Sequence, residues 1–335
     1  MTTVHFGGVT DPWFTVDINP VAFEFAGISV RWYGIFIGIG MILAVMYACR
    51  YAKSFGIDSD RMIDVAILSI AIGVIGARLY YVLFNLDEYK KATFWDILNI
   101  RDGGLAIYGG IICGMLSAWG LCKWRKIKVL PMLDLGAIGF LIGQGLGRWG
   151  NFTNQEAFGC NTNLPWGMYS LRTNHYLTMH RLELLDRGIV INAAQMVHPC
   201  FLYEFLWCLL GFLLIHFFVR KRRQYDGQIL LLYLLWYGLG RFWIEGLRID
   251  SLMWGPYRIS QLLAGVCVFV TAILLWNFRK HRGVFGEEGL KLQLAEEAVQ
   301  KEQKAAAKAE AKAAKAEAKA AKTSGAETDE PEQGE

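Results

Sequence analysis

Seven stretches of this chain are almost wholly apolar and are separated by polar or basic connections. They run over roughly 29–49, 62–84, 104–122, 133–150, 197–219, 228–246 and 258–278. Each holds about 17–23 residues, close to the twenty or so that a helix rising about 1.5 Å per residue needs to cross about 30 Å of hydrocarbon. The pattern predicts an all-α polytopic membrane protein of about seven transmembrane helices.

Basic residues orient these spans. Arg50, Lys53 and Arg61 follow the first, Lys123, Arg125, Lys126 and Lys128 the third, Arg220, Lys221, Arg222 and Arg223 the fifth, and Arg279, Lys280 and Arg282 the seventh. Connections on the other side are poorer in Lys and Arg. Because basic loops stay in the cytoplasm, the N-terminus is expected outside and the C-terminus inside. Residues 1–28 then form an extracytoplasmic segment, 29–282 a seven-helix membrane domain, and 283–335 a cytoplasmic tail. The connection from Asn151 to Val197 is too polar to be buried and too long for a turn, so a small extracytoplasmic head is expected at about 151–197. Residues 287–322 are rich in Ala, Lys and Glu, favour a helix and have no apolar face, so no packing on a core is expected of them. Residues 323–335 are polar and acidic and are expected to be disordered. The first Lys or Arg is Arg31, so no basic n-region of a cleavable signal peptide is expected.

Composition agrees with a membrane protein: 54% of the 335 residues are hydrophobic and 19% charged. A formal charge of +4 is too small to suggest nucleic acid. Of the seven cysteines, Cys49, Cys113, Cys122, Cys208 and Cys267 sit in apolar runs and read as small hydrophobes. Cys160 and Cys200 flank the polar connection and are able to pair if it faces an oxidising compartment. No HExxH, GxSxG or Ser-His-Asp set is visible, and no clustered His, Cys and Asp ligands, so neither metal nor cofactor is expected.

Polar residues inside the spans carry the functional signal. The fourth ends in Arg148-Trp149-Gly150-Asn151-Phe152-Thr153-Asn154-Gln155-Glu156-Ala157-Phe158-Gly159. So many polar groups at the end of an apolar run must be paired, hydrated or bound to something polar. In the sixth, Tyr237, Arg241, Glu245 and Arg248 form one stripe; Arg241 and Glu245 read equally well as a plain ion pair. Arg78 in the second span either serves the site or snorkels to headgroups, and His198 before Pro199 either serves it or caps the fifth span. Trp32 and Trp149 read as interface aromatics, and Asp134 as a helix N-cap. The third span opens with Asp102-Gly103-Gly104-Leu105-Ala106-Ile107-Tyr108-Gly109-Gly110, whose glycines permit close approach of a helix or a ligand. The topology places Tyr33, Arg78, Tyr108, Arg148, Asn151, His198, Glu204, Arg241 and Glu245 in the outer half of their spans. Charges isolated in lipid cost several kcal/mol each, so convergence is expected.

Arginines at the outer leaflet boundary suit a phosphodiester, which a guanidinium grips bidentately. Two other classes use some of the same features. A transporter for an anionic solute would need polar groups through the whole thickness or paired repeats, and neither is found. A non-enzymatic scaffold leaves the crowding at 148–156 without account.

The motif from Arg148 to Gly159 resembles the signature of bacterial prolipoprotein diacylglyceryl transferases. The resemblance covers roughly residues 15–280 and includes Trp32-Tyr33-Gly34, Gly76-Ala77-Arg78, the stretch from Asp102 to Gly110, His198-Pro199 with Tyr203-Glu204, and Tyr237-Gly238 with Arg241, Glu245 and Arg248. It implies transfer of the sn-1,2-diacylglyceryl group of phosphatidylglycerol to the lipobox cysteine of a prolipoprotein, with a thioether formed and glycerol phosphate released. It also implies a bacterial cytoplasmic membrane and an active site on the extracytoplasmic side. Arg148, Arg241, Glu245, Tyr108 and His198 are then expected in catalysis. Tyr33, Arg78, Asn151, Asn154, Glu156, Gly159, Tyr237 and Arg248 join Arg148 in binding substrate. Many relatives carry histidine where Tyr108 stands; tyrosine titrates near about 10 and is a poor base at neutral pH. The thiol proton therefore goes to Tyr108, His198 or Glu245, or to none of them if the arginine field suffices. Because the lipid's tails stay in the bilayer, a side opening between helices is expected.

Overall fold

The computed structural model describes residues 2–25, 27–90, 93–99, 103–255, 257–281 and 286–324. Strands β1 (Thr2–Phe6), β2 (Phe14–Ile18), β3 (Val21–Phe25) and β4 (Ile28–Arg31) lead into α1 (Trp32–Tyr51) and α2 (Ser59–Phe84). Two short helices, α3 (Leu86–Tyr89) and α4 (Phe94–Leu98), precede α5 (Ile107–Trp124) and α6 (Val129–Asn154). Strand β5 (Met168–Ser170) and helices α7 (Leu171–Met179) and α8 (Arg181–Asp186) fill the long connection to α9 (Cys200–Leu214), which a π-helical turn extends to Val219. Helix α10 (Gln228–Leu247), the hairpin β6 (Met253–Trp254) and β7 (Tyr257–Arg258), α11 (Ile259–Phe278) and the tail helix α12 (Gly286–Ser324) complete the order. Asp102 and residues 325–335, most of the expected disordered end, lie outside the described residues.

Helices α1, α2, α5, α6, α9, α10 and α11 occupy the seven apolar stretches. Among the described residues, five segments are long and apolar enough to cross a membrane: Trp32–Phe55, Ser59–Phe84, Val129–Asn154, Cys200–Val219 and Ile259–Phe278. Helix α5 is diluted by glycines, and α10 by Arg241 and Glu245. The chain is a multi-pass membrane protein whose membrane part is all-α, and its outward-facing Leu, Ile and Phe side chains are those of a lipid-facing surface.

Glycines decide which helices touch. A Cβ on Gly76 of α2 would stand 2.3 Å from that of Cys113, and one on Gly109 of α5 would stand 2.4 Å from the Gly76 carbonyl. Gly40 of α1 likewise leaves only 3.1 Å between a Cβ and Gly143 of α6. Small residues thus let α2 meet α5, and α1 meet α6, almost backbone to backbone. Helices α9 and α10 are clasped differently. Trp207 and Trp236 stack at 4.2 Å, and each indole N–H donates to the other's carbonyl, at 2.9 and 3.0 Å.

The structure corrects three expectations. Asp134 is not the cap of its own helix. Fully buried in the second turn of α6, it accepts from the amides of Gly227 and Leu230 at 2.7 and 2.8 Å, and so closes the start of α10. Trp149 is not an interface aromatic; it packs edge-on against Phe152, Phe201 and Phe205. The tail packs on the bundle: Gln293 Nε2 donates to the Lys126 carbonyl at 2.8 Å, and Arg61 pairs with Glu297 at 3.4 Å. The head also takes in more chain than the connection alone, because β1 lies between β2 and β5 in an antiparallel sheet, with Val4 opposite both Val16 and Ser170. Cys160 and Cys200 are both free thiols.

Replacing Asp134 by Ala strands two buried amides, and the expected loss is about 2 kcal/mol. The variant should melt several degrees lower in detergent, with Asp134→Asn intermediate; an unchanged melting curve would show that the α10 amides find other acceptors.

Candidate active site

Two apolar cores leave a polar layer between them. One, around Phe55, Met62, Val65, Leu135, Ile138 and Ile229, fills the end of the bundle that bears the basic loops. The other, around Val4, Phe152, Phe158, Met168, Val197, Phe201 and Ile249, joins the head to the opposite helix ends. On α6 the layer holds Arg148, on α9 Glu204, and on α10 Arg241 and Glu245.

Glu204 is the hub. Its carboxylate lies 2.8 Å from Arg148 Nε, 3.5 Å from Arg248 Nη1 and 3.7 Å from Arg241 Nη1. Arg241 Nη2 also lies 2.7 Å from Glu245, one turn along its own helix. Glu245 is 1% exposed, and its carbonyl accepts from Arg258 at 2.5 Å. The ion pair expected within α10 is therefore one side of a network spanning three helices. Arg248 is fully engaged: Nε and Nη2 grip Asp250 at 2.9 and 2.7 Å while Nη1 faces Glu204. Among the described contacts, Arg148 Nη2 and Arg241 Nε remain without a partner.

The 148–159 motif folds back on the same point. Arg148 Nη1 donates to Asn151 Oδ1 at 3.1 Å; Asn151 and Asn154 both donate to Glu156 Oε1, at 2.8 and 3.4 Å. Helix α6 is capped at its C-terminus by Gln155, with φ 55°, and Ala157 follows with φ 58°. Two left-handed non-glycine residues around Glu156 are locally strained, and the turn they make returns the carboxylate to the asparagines. Gly150 lies under the Tyr33 ring, where a Cβ would stand 2.6 Å from it. Gly159 closes the junction of head and helices: it bridges to Arg248, and a Cβ there would stand 2.8 Å from His198 Cβ and 3.0 Å from the Leu247 carbonyl.

A cleft between α6, α9 and α10 reaches the network. Gln144, Arg148, Glu204, Trp207, Cys208, Tyr237, Gly240, Arg241 and Ile244 line it. The Arg148 and Arg241 side chains keep 23% and 20% of their exposure, so neither is sealed off. Gln144 donates to the Tyr233 hydroxyl at 2.9 Å, and its own carbonyl oxygen is buried without a partner.

Other expected site residues stand apart. Arg78 is buried, and its guanidinium donates to the backbone carbonyls of Asp96, Ile97, Gly103 and Gly104 at 2.7–3.1 Å, securing the α2–α5 connection. Tyr108 is exposed in the first turn of α5. His198 Nδ1 lies 3.1 Å from the Tyr203 hydroxyl, which also accepts from Trp166 at 2.8 Å. Burial holds the His198 ring below its ordinary value of 6.5, so it is neutral at pH 7. Sequence reasoning placed Glu204 in the outer half of its span but gave it no role in the site; Gln144 and Arg258 went unremarked. The one signal for Glu204 was a carboxylate five residues into an apolar helix.

Residues 20–277 match the family model of prolipoprotein diacylglyceryl transferase. A relative from Clostridioides difficile, the phosphatidylglycerol–prolipoprotein diacylglyceryl transferase, is 41% identical over 272 residues, covering 81% of this chain and all of its own. Proteins with that name from Finegoldia magna and Gloeobacter violaceus are 40% and 38% identical, over 78% and 77% of this chain and 97% and 92% of theirs. A buried arginine network opening on a cleft among apolar helices, with likeness over nearly the whole membrane domain, places this chain in the prolipoprotein diacylglyceryl transferase family.

Proposed function

We propose that this transferase moves the sn-1,2-diacylglyceryl group of phosphatidylglycerol to the lipobox cysteine of a prolipoprotein, and that the cleft at Arg148 and Arg241 holds the departing phosphate. Seven membrane crossings place the basic connections in the cytoplasm and the cleft near the extracytoplasmic face of a bacterial cytoplasmic membrane. One observation carries the reading: three arginines share Glu204, and two of them, with donors that have no partner among the described contacts, line a cleft between helices.

The cysteine sulfur attacks the glycerol carbon that bears the phosphate. A C–S bond forms, the C–O bond breaks, and the electron pair leaves on the phosphate oxygen. A phosphodiester carrying one negative charge becomes a monoester tending towards two. Donors aimed at that oxygen hold the transition state more tightly than the lipid. Arg148 and Arg241 supply those donors. Glu204 and Glu245 fix their planes, and Arg248, engaged with Asp250, anchors Glu204 as a positioning residue. Asn151 and Asn154, locked by Glu156, together with Tyr33, Tyr237 and the free Gln144 carbonyl, contact the glycerol hydroxyls. Gly159 and His198 hold the head to the helices, and Arg78 holds the α2–α5 connection that precedes Tyr108. No metal or cofactor enters the scheme. The diacyl tails stay in the bilayer through the side of the cleft.

Glu245 is paired with Arg241, and Nδ1 of His198 faces Tyr203. The thiol is therefore best activated by the cationic field itself, which favours the thiolate of a group that ordinarily titrates near about 8.5.

With phosphatidylglycerol and a lipobox peptide, the purified protein should release glycerol phosphate and add one diacylglyceryl mass to the peptide; flux without a covalent product would overturn the reading. Arg148→Lys and Arg241→Lys keep the charge but lose the planar fork, and kcat/KM should fall about 10²–10³-fold in each. Activity within twofold of the parent in both would remove the arginines from the chemistry. In a pH series, kcat/KM should rise through an inflection between about 6.5 and 8.5, where a field-stabilised thiol ionises. A base at His198 would instead put the inflection below about 6.5, because its pKa is depressed, and His198→Gln would abolish it. Tyr108→Phe should slow turnover severalfold if its hydroxyl meets the phosphate; parental turnover strikes it from the site.

A further inference from the structure

Helix α12 lies beyond residue 277, where the family match ends, and carries a surface that the transferase chemistry leaves unused. Its first turns rest on the basic end of the bundle. The Gly286 carbonyl lies 2.5 Å from where a Cβ on Gly56 would stand. Gln293 meets Lys126 in the α5–α6 turn, and Glu297 meets Arg61 at the start of α2. Gly286 and Gly289 are buried and Leu290, Gln293 and Glu297 half-buried, while Lys291, Leu292 and residues 294–296 are exposed. One face therefore points at the bundle. Its supports belong to the end of α1, the α5–α6 turn and the start of α2, so α12 runs across the end of the bundle rather than straight away from it.

Past Glu297 the helix has left these supports, and residues 298–308 are exposed. The docked face continues at steps of four, three and four residues as Lys301, Lys304 and Lys308, each step close to one turn. The same spacing goes on in the sequence through Lys312, Lys315, Lys319 and Lys322. Glu302 and Glu310 fall on the opposite side.

We infer that this lysine row rests on anionic phospholipid headgroups of the leaflet that borders the basic end of the bundle. The face that lies on the helix ends is the face turned towards the membrane plane. Where the protein stops, lipid headgroups take its place. Ammonium groups on long apolar stems suit that depth, and their attraction to an anionic leaflet acts within a Debye length. A nucleic acid or an acidic protein would approach from the outer side, where Glu302 and Glu310 repel it. The inference rests on the placement of α12 and stands apart from the transferase reading.

Hydrogen exchange of residues 298–308, measured on the full chain in lipid nanodiscs, tests it. Phosphatidylcholine discs are compared with discs containing phosphatidylserine, which is anionic but is not the proposed diacylglyceryl donor. Exchange should slow by roughly threefold or more in the anionic discs and recover in about 0.5 M salt. The Lys301→Glu/Lys304→Glu/Lys308→Glu variant should lose the protection, and Glu302→Lys/Glu310→Lys should keep it. Equal rates in both discs, or protection surviving the triple substitution, would overturn the proposal. Polyuridylate slowing exchange in phosphatidylcholine discs would also overturn it, in favour of nucleic acid.

Discussion

One carboxylate shared among three guanidinium groups holds the polar layer together. Glu204 is ion-paired with Arg148 on α6 and with Arg241 on α10, and accepts from Arg248 beyond the end of α10. In a low-dielectric setting an unpaired charge is costly, and pairing repays that cost only when the geometry is good and the remaining donors are satisfied. Here the partners come from different helices, so the network also fixes how those helices lie. Any change that moves Glu204 disturbs three arginines together.

The apolar parts of the bundle supply the rigidity this requires. The core around Phe55, Leu135 and Ile138 fills the basic end, so among the described residues the polar network does not continue as the path across the protein that a transporter would need. Directly alongside the cleft, the Trp207–Trp236 clasp satisfies both indole N–H groups without water. Its closeness depends on Gly211 and Gly240, where a Cβ would stand 2.4 and 2.3 Å from an indole nitrogen. Stacked indoles at this point hold α9 and α10 at a fixed separation, and Glu204 and Arg241 with them.

The spans and the arginines were legible in the sequence for one physical reason: a bilayer leaves little choice about where apolar runs go or what a buried charge requires. Features built from pairings distant in the chain were not legible. Glu204 could have paired with any of several arginines, and nothing in the residues around it marked it as the centre. Strand β1 has no local partner for its second edge; it pairs with β5, far along the chain, with Val4 opposite Ser170. Asp134 looked like a local cap because caps are ordinarily local, yet the amides it meets belong to Gly227 and Leu230. The tail was expected to stay off the bundle because it lacks an apolar face, and it docks instead through buried glycines, an ion pair and one bond to a backbone carbonyl.

The division of labour among the arginines follows from donor arithmetic rather than from charge alone. A guanidinium offers five N–H groups in a fixed plane. Arg78 directs its nitrogens at four backbone carbonyls, and Arg248 directs its own at Asp250 and Glu204. In both, every guanidinium nitrogen already has a protein partner. Arg148 Nη2 and Arg241 Nε have no partner among the described contacts, and both arginines line the cleft. Carboxylates that bind one edge of a guanidinium orient the other, so in the proposed reaction Glu204 and Glu245 would aim positive charge without cancelling it at the cleft. A phosphate gaining charge as it departs would meet donors already in place, and little reorganisation would be needed at the moment of transfer.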